Sequence, residues 1–416
     1  MNDRFHPASL QTICATDLLR QYQSGATFFA SPRRSLLAHG IKAVLPPCEN
    51  SQLAAMAAEY LKNVQVEGQP APVLIGALPF RMDAGSPPAH LFVPQQLISG
   101  AGVDDMMMLK VPAKPIKARA LTAAVMQPTP VAYRDNVRSA LAQIKSVVFE
   151  KTVLSRSLRL DVQINIPDLL QRLAARNLRG YTFAIDLAGD GATQMPERRT
   201  LIGASPELLL ARHGRELISH PLAGSIPRSD DAMEDSRRAE GLLRSAKDLH
   251  EHALVVNAVA AVMRPNCKVL QVPATPSLLA TPTMWHLGTE IRGELADLAT
   301  TSLEVALALH PTPAVCGHPT APARQFIADT EGFDRRYFAG LVGWCDSHGD
   351  GEWAVTLRCA EVGANHATLY AGAGIVAGSD SQLELLETSA KLRTMLAAMN
   401  LELMLEDRED SAEVAA

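Results

Sequence analysis

The spacing of apolar residues divides the chain into many short strands and a few longer helices. Leu53, Met56, Ala57, Tyr60 and Leu61 recur at helical intervals and predict a helix over 51–66. Val137, Leu141, Ile144 and Val148 form one stripe and predict another from Tyr133 to Phe149. Further helices are predicted at 167–177, 302–309 and 324–330, and a long one at 231–263 that stops before Pro265. The stretch ATFFASPRRSLLAHG reads as two strands around a turn at Ser31-Pro32. Apolar runs at 72–80, 151–156, 182–187, 200–212, 268–273 and 283–292 read as further strands. Residues 219–225 read as a strand ending in a small-residue turn. Three more, Leu341–Cys345, Trp353–Ala360 and Thr368–Gly372, follow one another through hairpin-like connections at 346–351 and 361–366. Residues 82–130 are Pro- and Gly-rich and weakly periodic, and are expected to be loops and edge strands.

Hydrophobic residues fill 47% of the 416 positions, enough for a large buried core. The net charge of −5 lacks the basic footprint of a nucleic-acid binder, so no nucleic-acid partner is expected. No apolar run is long enough to span a bilayer, and the first residues lack the basic-flanked apolar core of a secretory signal. The six cysteines are scattered without metal-ligand spacing. A cytoplasmic, membrane-free protein is therefore expected. The acidic, Ala-rich segment 404–416 is expected to fray.

Candidate chemistry centres on Ala371–Lys391. Gly372, Gly374 and Gly378 would let backbone approach a ligand, and Ser379-Asp380-Ser381 can cap a helix. Glu384, Glu387 and Lys391 then share one helix face. Two carboxylates there could hold an anionic substrate through a cation such as Mg²⁺; a solvated face with a Glu–Lys pair gives the same pattern. Glu207 sits beside an apolar run, where desolvation would raise its pKa and make it a general acid; an edge-strand Glu facing water is the alternative. Backbone N–H groups of the turn at Gly224 and Ser225 could hold a carboxylate. His250 and His252 are two apart and do not make a zinc pair, so Glu251 is the better metal ligand. Alternation along 353–360 projects Arg358 from one face, toward a carboxylate or toward solvent.

Lys151-Thr-Val-Leu-Ser-Arg156, Gly203-Ala-Ser-Pro-Glu207, Pro221-Leu-Ala-Gly-Ser225, Lys247-Asp-Leu-His-Glu-His252, Thr281–His286, His310–Ala314, Phe333–Phe338, Ala371–Val376 and Glu384–Lys391 occur in this order. Together they resemble the chorismate-utilising enzymes, which include isochorismate, anthranilate, aminodeoxychorismate and salicylate synthases. The match spans roughly 130–400, and FFASPRRSLLAHG and PVLIGALPF resemble the siderophore-type isochorismate synthases. The resemblance implies an α+β fold: two large, mostly antiparallel sheets packed together with helices outside. It implies one unit in which 1–125 completes the scaffold of a catalytic region at 126–403.

The resemblance also implies roles. Lys151 would activate water, for which it must act as a neutral amine, and Glu207 would protonate the departing 4-hydroxyl. Glu251 and Glu387 would hold Mg²⁺, with Glu384 supporting it. Arg358, Gly372 and Gly374 would take the enolpyruvyl carboxylate, and Lys391 would add positive charge beside the substrate. Gly224, Ser225, His286, Ala314, Val315 and Phe338 complete the implied chorismate contacts. A lysine at 151, where anthranilate synthases carry glutamine, implies water rather than ammonia and no glutamine amidotransferase subunit. Ala223 replaces the lysine nucleophile common in aminodeoxychorismate synthases. Val315, where the siderophore branch more often has leucine, and Phe338 lack the polar groups typical of salicylate synthases. The implied enzyme is a monomeric, Mg²⁺-dependent isomerase making isochorismate. A salicylate synthase is the near alternative, and a non-catalytic chorismate-binding protein the distant one.

Overall fold

The computed structural model describes residues 13–66, 71–83, 86–103, 123–187, 198–403 and 405. In the N-terminal part, the strands are β1 Thr27–Ala30, β2 Arg34–Val44, β3 Val73–Leu78, β4 His90–Ala101 and β5 Ala124–Gln127. Then come β6 Lys151–Leu160, β7 Tyr181–Asp186, β8 Thr200–Ser205, β9 Leu208–His213, β10 Glu216–His220 and β11 Leu222–Pro227. The third group is β12 Cys267–Gln271, β13 Ser277–Ala280, β14 Met284–Gly288, β15 Ile291–Leu295 and β16 Gly317–His318. The last are β17 Leu341–Asp346, β18 Gly351–Val355, β19 Cys359–Val362 and β20 Ala367–Val376. The helices are α1 Ala15–Gln21, α2 Leu53–Asn63, α3 Pro130–Lys145, α4 Ile166–Arg176 and α5 Ala232–Arg244. They continue with α6 Ala246–Met263, α7 Ser302–Leu309, α8 Thr320–Thr330 and α9 Ser381–Met399.

Seventeen strands share one hydrogen-bonded network, and β11, β14 and β13 form a separate three-stranded sheet. The network consists of two antiparallel runs. One is β5-β6-β20-β19-β8-β7-β1-β2; the other is β3-β17-β18-β9-β10-β15-β12. β4 joins them, pairing with β2 along most of its length and with β3 at His90–Phe92, and the short β16 completes the seventeen described strands by pairing with the start of β6. Alternate residues of the first run serve different cores, as pleating requires. Phe29 and Phe183 pack with Leu210, Trp344 and Trp353 of the second run, whereas Phe28 and Ala184 join the core under α1, α4 and α9. The fold is therefore α+β, with helices outside two large antiparallel layers.

Four predicted elements are interrupted, each for a local reason. The helix expected at 231–263 is two helices. Ser245 takes an extended conformation (φ −70°, ψ 110°), ends α5, and caps α6 by accepting from Asp248 N. The strand expected at 200–212 breaks at Pro206, which has no N–H for the ladder, leaving Glu207 between β8 and β9. The segment 283–292 is divided between two sheets, β14 in the small one and β15 in the large network. The strand expected at 353–360 breaks into β18 and β19 because Arg358 adopts a left-handed conformation (φ 47°). Within 82–130 the twelve-residue β4 is a full ladder strand, not an edge. Residues 104–122 and almost all of 404–416 lie outside the described residues.

α9 is fixed at both ends and along one side. Asp380 accepts from Gln382 N and Leu383 N at 2.9 Å each, and Asn400 closes the helix in the left-handed region. Leu385, Leu392, Met395, Leu396 and Met399 are buried, each worth roughly 1.5–3 kcal/mol relative to exposure. Arg156 of β6, fully buried, donates to Thr388 Oγ1 (3.0 Å), Ser389 Oγ (2.7 Å) and Leu385 O (3.2 Å). The helix that carries Glu384, Glu387 and Lys391 is thus bolted to the strand that begins with Lys151.

Candidate active site

A cleft of about 670 Å³, mouth included, opens where β6, β20, α6, α9 and the small sheet meet. Every substrate contact implied by the sequence lines it: Gly224, Ser225, His286, Ala314, Val315, Phe338, Arg358, Gly372, Gly374 and Lys391. Glu207, Glu251 and Glu387 line it as well. Lys151 and Glu384 lie immediately behind this surface. Lys151 is fully buried; its Nζ sits 2.8 Å from Glu251 Oε1 as an ion pair and makes no directed hydrogen bond.

Glu207 owes its place to the interruption at Pro206. Its backbone carbonyl accepts from Val355 N, while its side chain enters the cleft almost wholly buried. Burial raises its pKa from 4.5 to about 7, against the opposing pull of the Leu222 backbone hydrogen bond and the Lys151, Arg358 and Lys391 charges. It can therefore carry a proton near neutrality.

Arg358 reaches the cleft because of its positive φ. A non-glycine residue there bears roughly 1–3 kcal/mol of backbone strain, a cost that persists where the surroundings over-determine it. Its carbonyl accepts from Ala204 N, and Nη2 donates to His286 Nε2 at 3.2 Å. Burial lowers its pKa to about 10, which leaves it charged. Burial, then Arg358 and Lys391, keep the His286 pKa well below its usual value, so the neutral ring accepts from Arg358.

The glycine approach is a matter of space. A Cβ on Gly374 would come within 2.1 Å of Glu251 Oε1 and 3.1 Å of Lys151 Cε. Gly224 has φ +79° and lies against Asp248. The shared helix face places Glu387 and Lys391 in the cleft, Nζ to Oε1 at 2.6 Å, with Lys391 also donating to Gly372 O at 2.8 Å. This Glu–Lys pair is enclosed, not solvated. Burial would raise the Glu387 pKa, but Lys391, Lys247 and the Ser225 hydroxyl (3.0 Å) hold it below 4.5. Glu384 pairs with Lys247 at 2.7 Å; burial, then the Glu387 charge, push it up to about 7.

Among the described residues no three His, Cys, Asp or Glu side chains are gathered closely enough to hold a metal ion. Each expected ligand instead holds a lysine: Glu251 with Lys151, Glu384 with Lys247, Glu387 with Lys391. The donor chemistry nevertheless fits Mg²⁺. Glu251 and Glu387 offer hard oxygens to one cleft, and burial together with the neighbouring Glu387 charge raises the Glu384 pKa, a strain that a bound cation would relieve. His252 is structural, its ring nitrogens meeting Ala223 O and Thr289 Oγ1.

Of the lining residues that went unassigned in the sequence, two carry polar side chains, Tyr370 and Arg335. Tyr370 shares the β20 face of Gly372 and Gly374, a two-residue period that would have found it. Its ring stacks on Phe338 at 5.1 Å. Arg335 lies inside the Phe333–Phe338 motif, beside an arginine of identical chemistry, and no spacing rule separates the two.

The fold is that of the chorismate-binding enzymes. The sequence profile of that family, Chorismate binding enzyme, matches residues 95–400, and the chain belongs to it. It is 49% identical over 394 residues to isochorismate synthase DhbC of Bacillus subtilis, covering 93% of this chain and 97% of that protein. The vibriobactin-specific isochorismate synthase of Vibrio cholerae is 43% identical, covering 90% of this chain and 92% of its own. The solved structure of DhbC from Bacillus anthracis superposes with a TM-score of 0.86 at 46% identity, covering 93% of this chain and all of that one.

Proposed function

We propose that the chain is an isochorismate synthase, an isomerase that converts chorismate to isochorismate. The observation that carries the reading is Glu207, a buried carboxyl held near neutral pKa in the cleft behind which Lys151 lies. Lys151 acts as the base that takes a proton from water as the water oxygen bonds to ring carbon 2. Both conjugated ring double bonds shift by one position, the bond from carbon 4 to its hydroxyl breaks, and Glu207 supplies the proton for the departing water. One water enters and one leaves, so the product is an isomer of the substrate.

Arg358 offers a planar fork to the enolpyruvyl carboxylate, helped by the open backbone at Gly372 and Gly374. Lys391 adds positive charge beside it. Glu251 and Glu387 would hold Mg²⁺, with Glu384 behind them. The bound ion supplies charge that offsets the ring carboxylate. The neutral His286 ring keeps Arg358 aimed inward. Val315 and Phe338 present no hydroxyl for a following elimination of pyruvate.

The protein acts alone on a small molecule, as a monomer without an amidotransferase, since Lys151 opposes the use of ammonia. Six free cysteines suit a reducing cytoplasm, and no helix among the described residues is long and apolar enough to cross a membrane. The DhbC and vibriobactin-specific relatives support a place in catecholate siderophore assembly.

Two outcomes test this. Incubation with chorismate and Mg²⁺, followed by chromatography, yields isochorismate; salicylate with pyruvate, or anthranilate, would refute the assignment. EDTA abolishes turnover and Mg²⁺ restores it. Turnover unchanged by EDTA would remove the metal roles of Glu251 and Glu387.

A further inference from the structure

At the cleft wall lies a further ion pair that the chemistry above does not use. Glu331 follows α8 and Arg335 lies four residues on; both side chains are almost completely buried. Arg335 Nε and Nη2 donate to the two Glu331 oxygens at 2.8 and 2.5 Å. Nη1 donates to Val315 O and Nη2 also to Val153 O, each at 2.7 Å. Glu331 Oε1 accepts in turn from Ser155 N at 2.7 Å. The guanidinium carbon lies 4.4 Å from the Phe80 ring centre and 5.8 Å from that of Phe338.

These contacts reinforce a join that the ladder begins: β16 pairs with β6 at Lys151 and Thr152 and Val153 N donates to Cys316 O, while Arg335 adds Val153 O, Val315 O and the Phe338 ring. Val153 and Ser155 belong to β6, two and four residues beyond Lys151. Val315 and Phe338 form the facing wall of the cleft. We propose that Glu331 and Arg335 act as a positioning pair that fixes the lysine strand against the Val315–Phe338 wall, setting where the substrate ring lies relative to Lys151. The proposal rests on the isochorismate synthase reading and deepens it. A planar fork is needed, because one cation must reach two backbone carbonyls and a carboxylate at once; an ammonium group cannot. A misplacement of about 1 Å at a reacting centre costs about 10²-fold in rate.

Arg335 lines the cleft, and Glu331 does not. That difference separates positioning from direct substrate contact. The test is steady-state kinetics and thermal melting of Arg335→Lys, Glu331→Gln and Glu331→Asp, beside the unaltered protein. Both Arg335→Lys and Glu331→Gln are expected to lower kcat about 10²-fold while KM for chorismate stays within about threefold. Glu331→Asp, which keeps the charge and shortens the reach, shows the same kcat effect should Glu331→Gln fail to fold. A Glu331 variant with normal kcat beside an Arg335→Lys protein with raised KM would overturn the proposal, making Arg335 a substrate contact. So would normal kcat in both. Failure of the functional reading is distinguishable, because the unaltered protein would then form no isochorismate at all.

Discussion

Glu207→Gln is expected to lower isochorismate formation by about 10³-fold with the protein still folded. The amide keeps the volume and can accept the Leu222 backbone hydrogen bond, but has no proton to give. The pH profile sharpens the prediction. The working form of Glu207 is the protonated one, and burial raises its pKa to about 7. Its contribution is present at acidic pH and declines as pH rises through about 7. That alkaline decline in kcat/KM should disappear in Glu207→Gln. Rates and profile are read from product formation between pH 5 and 9, with circular dichroism as the check on folding. Near-normal turnover in a folded variant would remove Glu207 from the mechanism.

Lys151→Ala is expected to have a comparable effect, a loss of about 10³-fold or more, because it removes the group that takes the proton from water. The variant leaves Glu251 without its 2.8 Å partner in a buried place, an arrangement that costs stability. Lys151→Met, which fills the same volume, should therefore be assayed beside it, with melting temperatures for both. The losses should remain when both proteins are compared well below their melting points. A folded Lys151→Met protein with substantial activity would show that another group activates the water.

Much of the site could be read from the chain because its residues sit in short ordered motifs. Glu384, Glu387 and Lys391 follow helical spacing, and the structure puts Glu387 and Lys391 in the cleft with Glu384 behind. The Asp380 cap fell where the polar cluster placed it. The two-layer architecture was legible through resemblance, since periodicity alone gives many strands without their order. β4 hid in a Pro- and Gly-rich stretch because it bends between two layers, and its apolar residues keep no single alternation. Arg358 was expected on a regular strand. Its entry into the cleft instead depends on a left-handed residue, which no side-chain pattern announces. Ser245 divides a helix by competing for a backbone N–H, although helical periodicity runs on through it. The role of the Glu331–Arg335 pair was invisible because its further partners are backbone groups distant in sequence, the Val153 and Val315 carbonyls and the Ser155 N–H.

The central claim is that Lys151 directs water onto carbon 2 while Glu207 releases the hydroxyl from carbon 4. Mass spectrometry of the product formed from chorismate in ¹⁸O-enriched water tests it most directly. The account predicts isochorismate carrying one oxygen from solvent, in place of the 4-hydroxyl of the substrate. Isochorismate with no solvent oxygen, as internal migration of the hydroxyl would give, would contradict it.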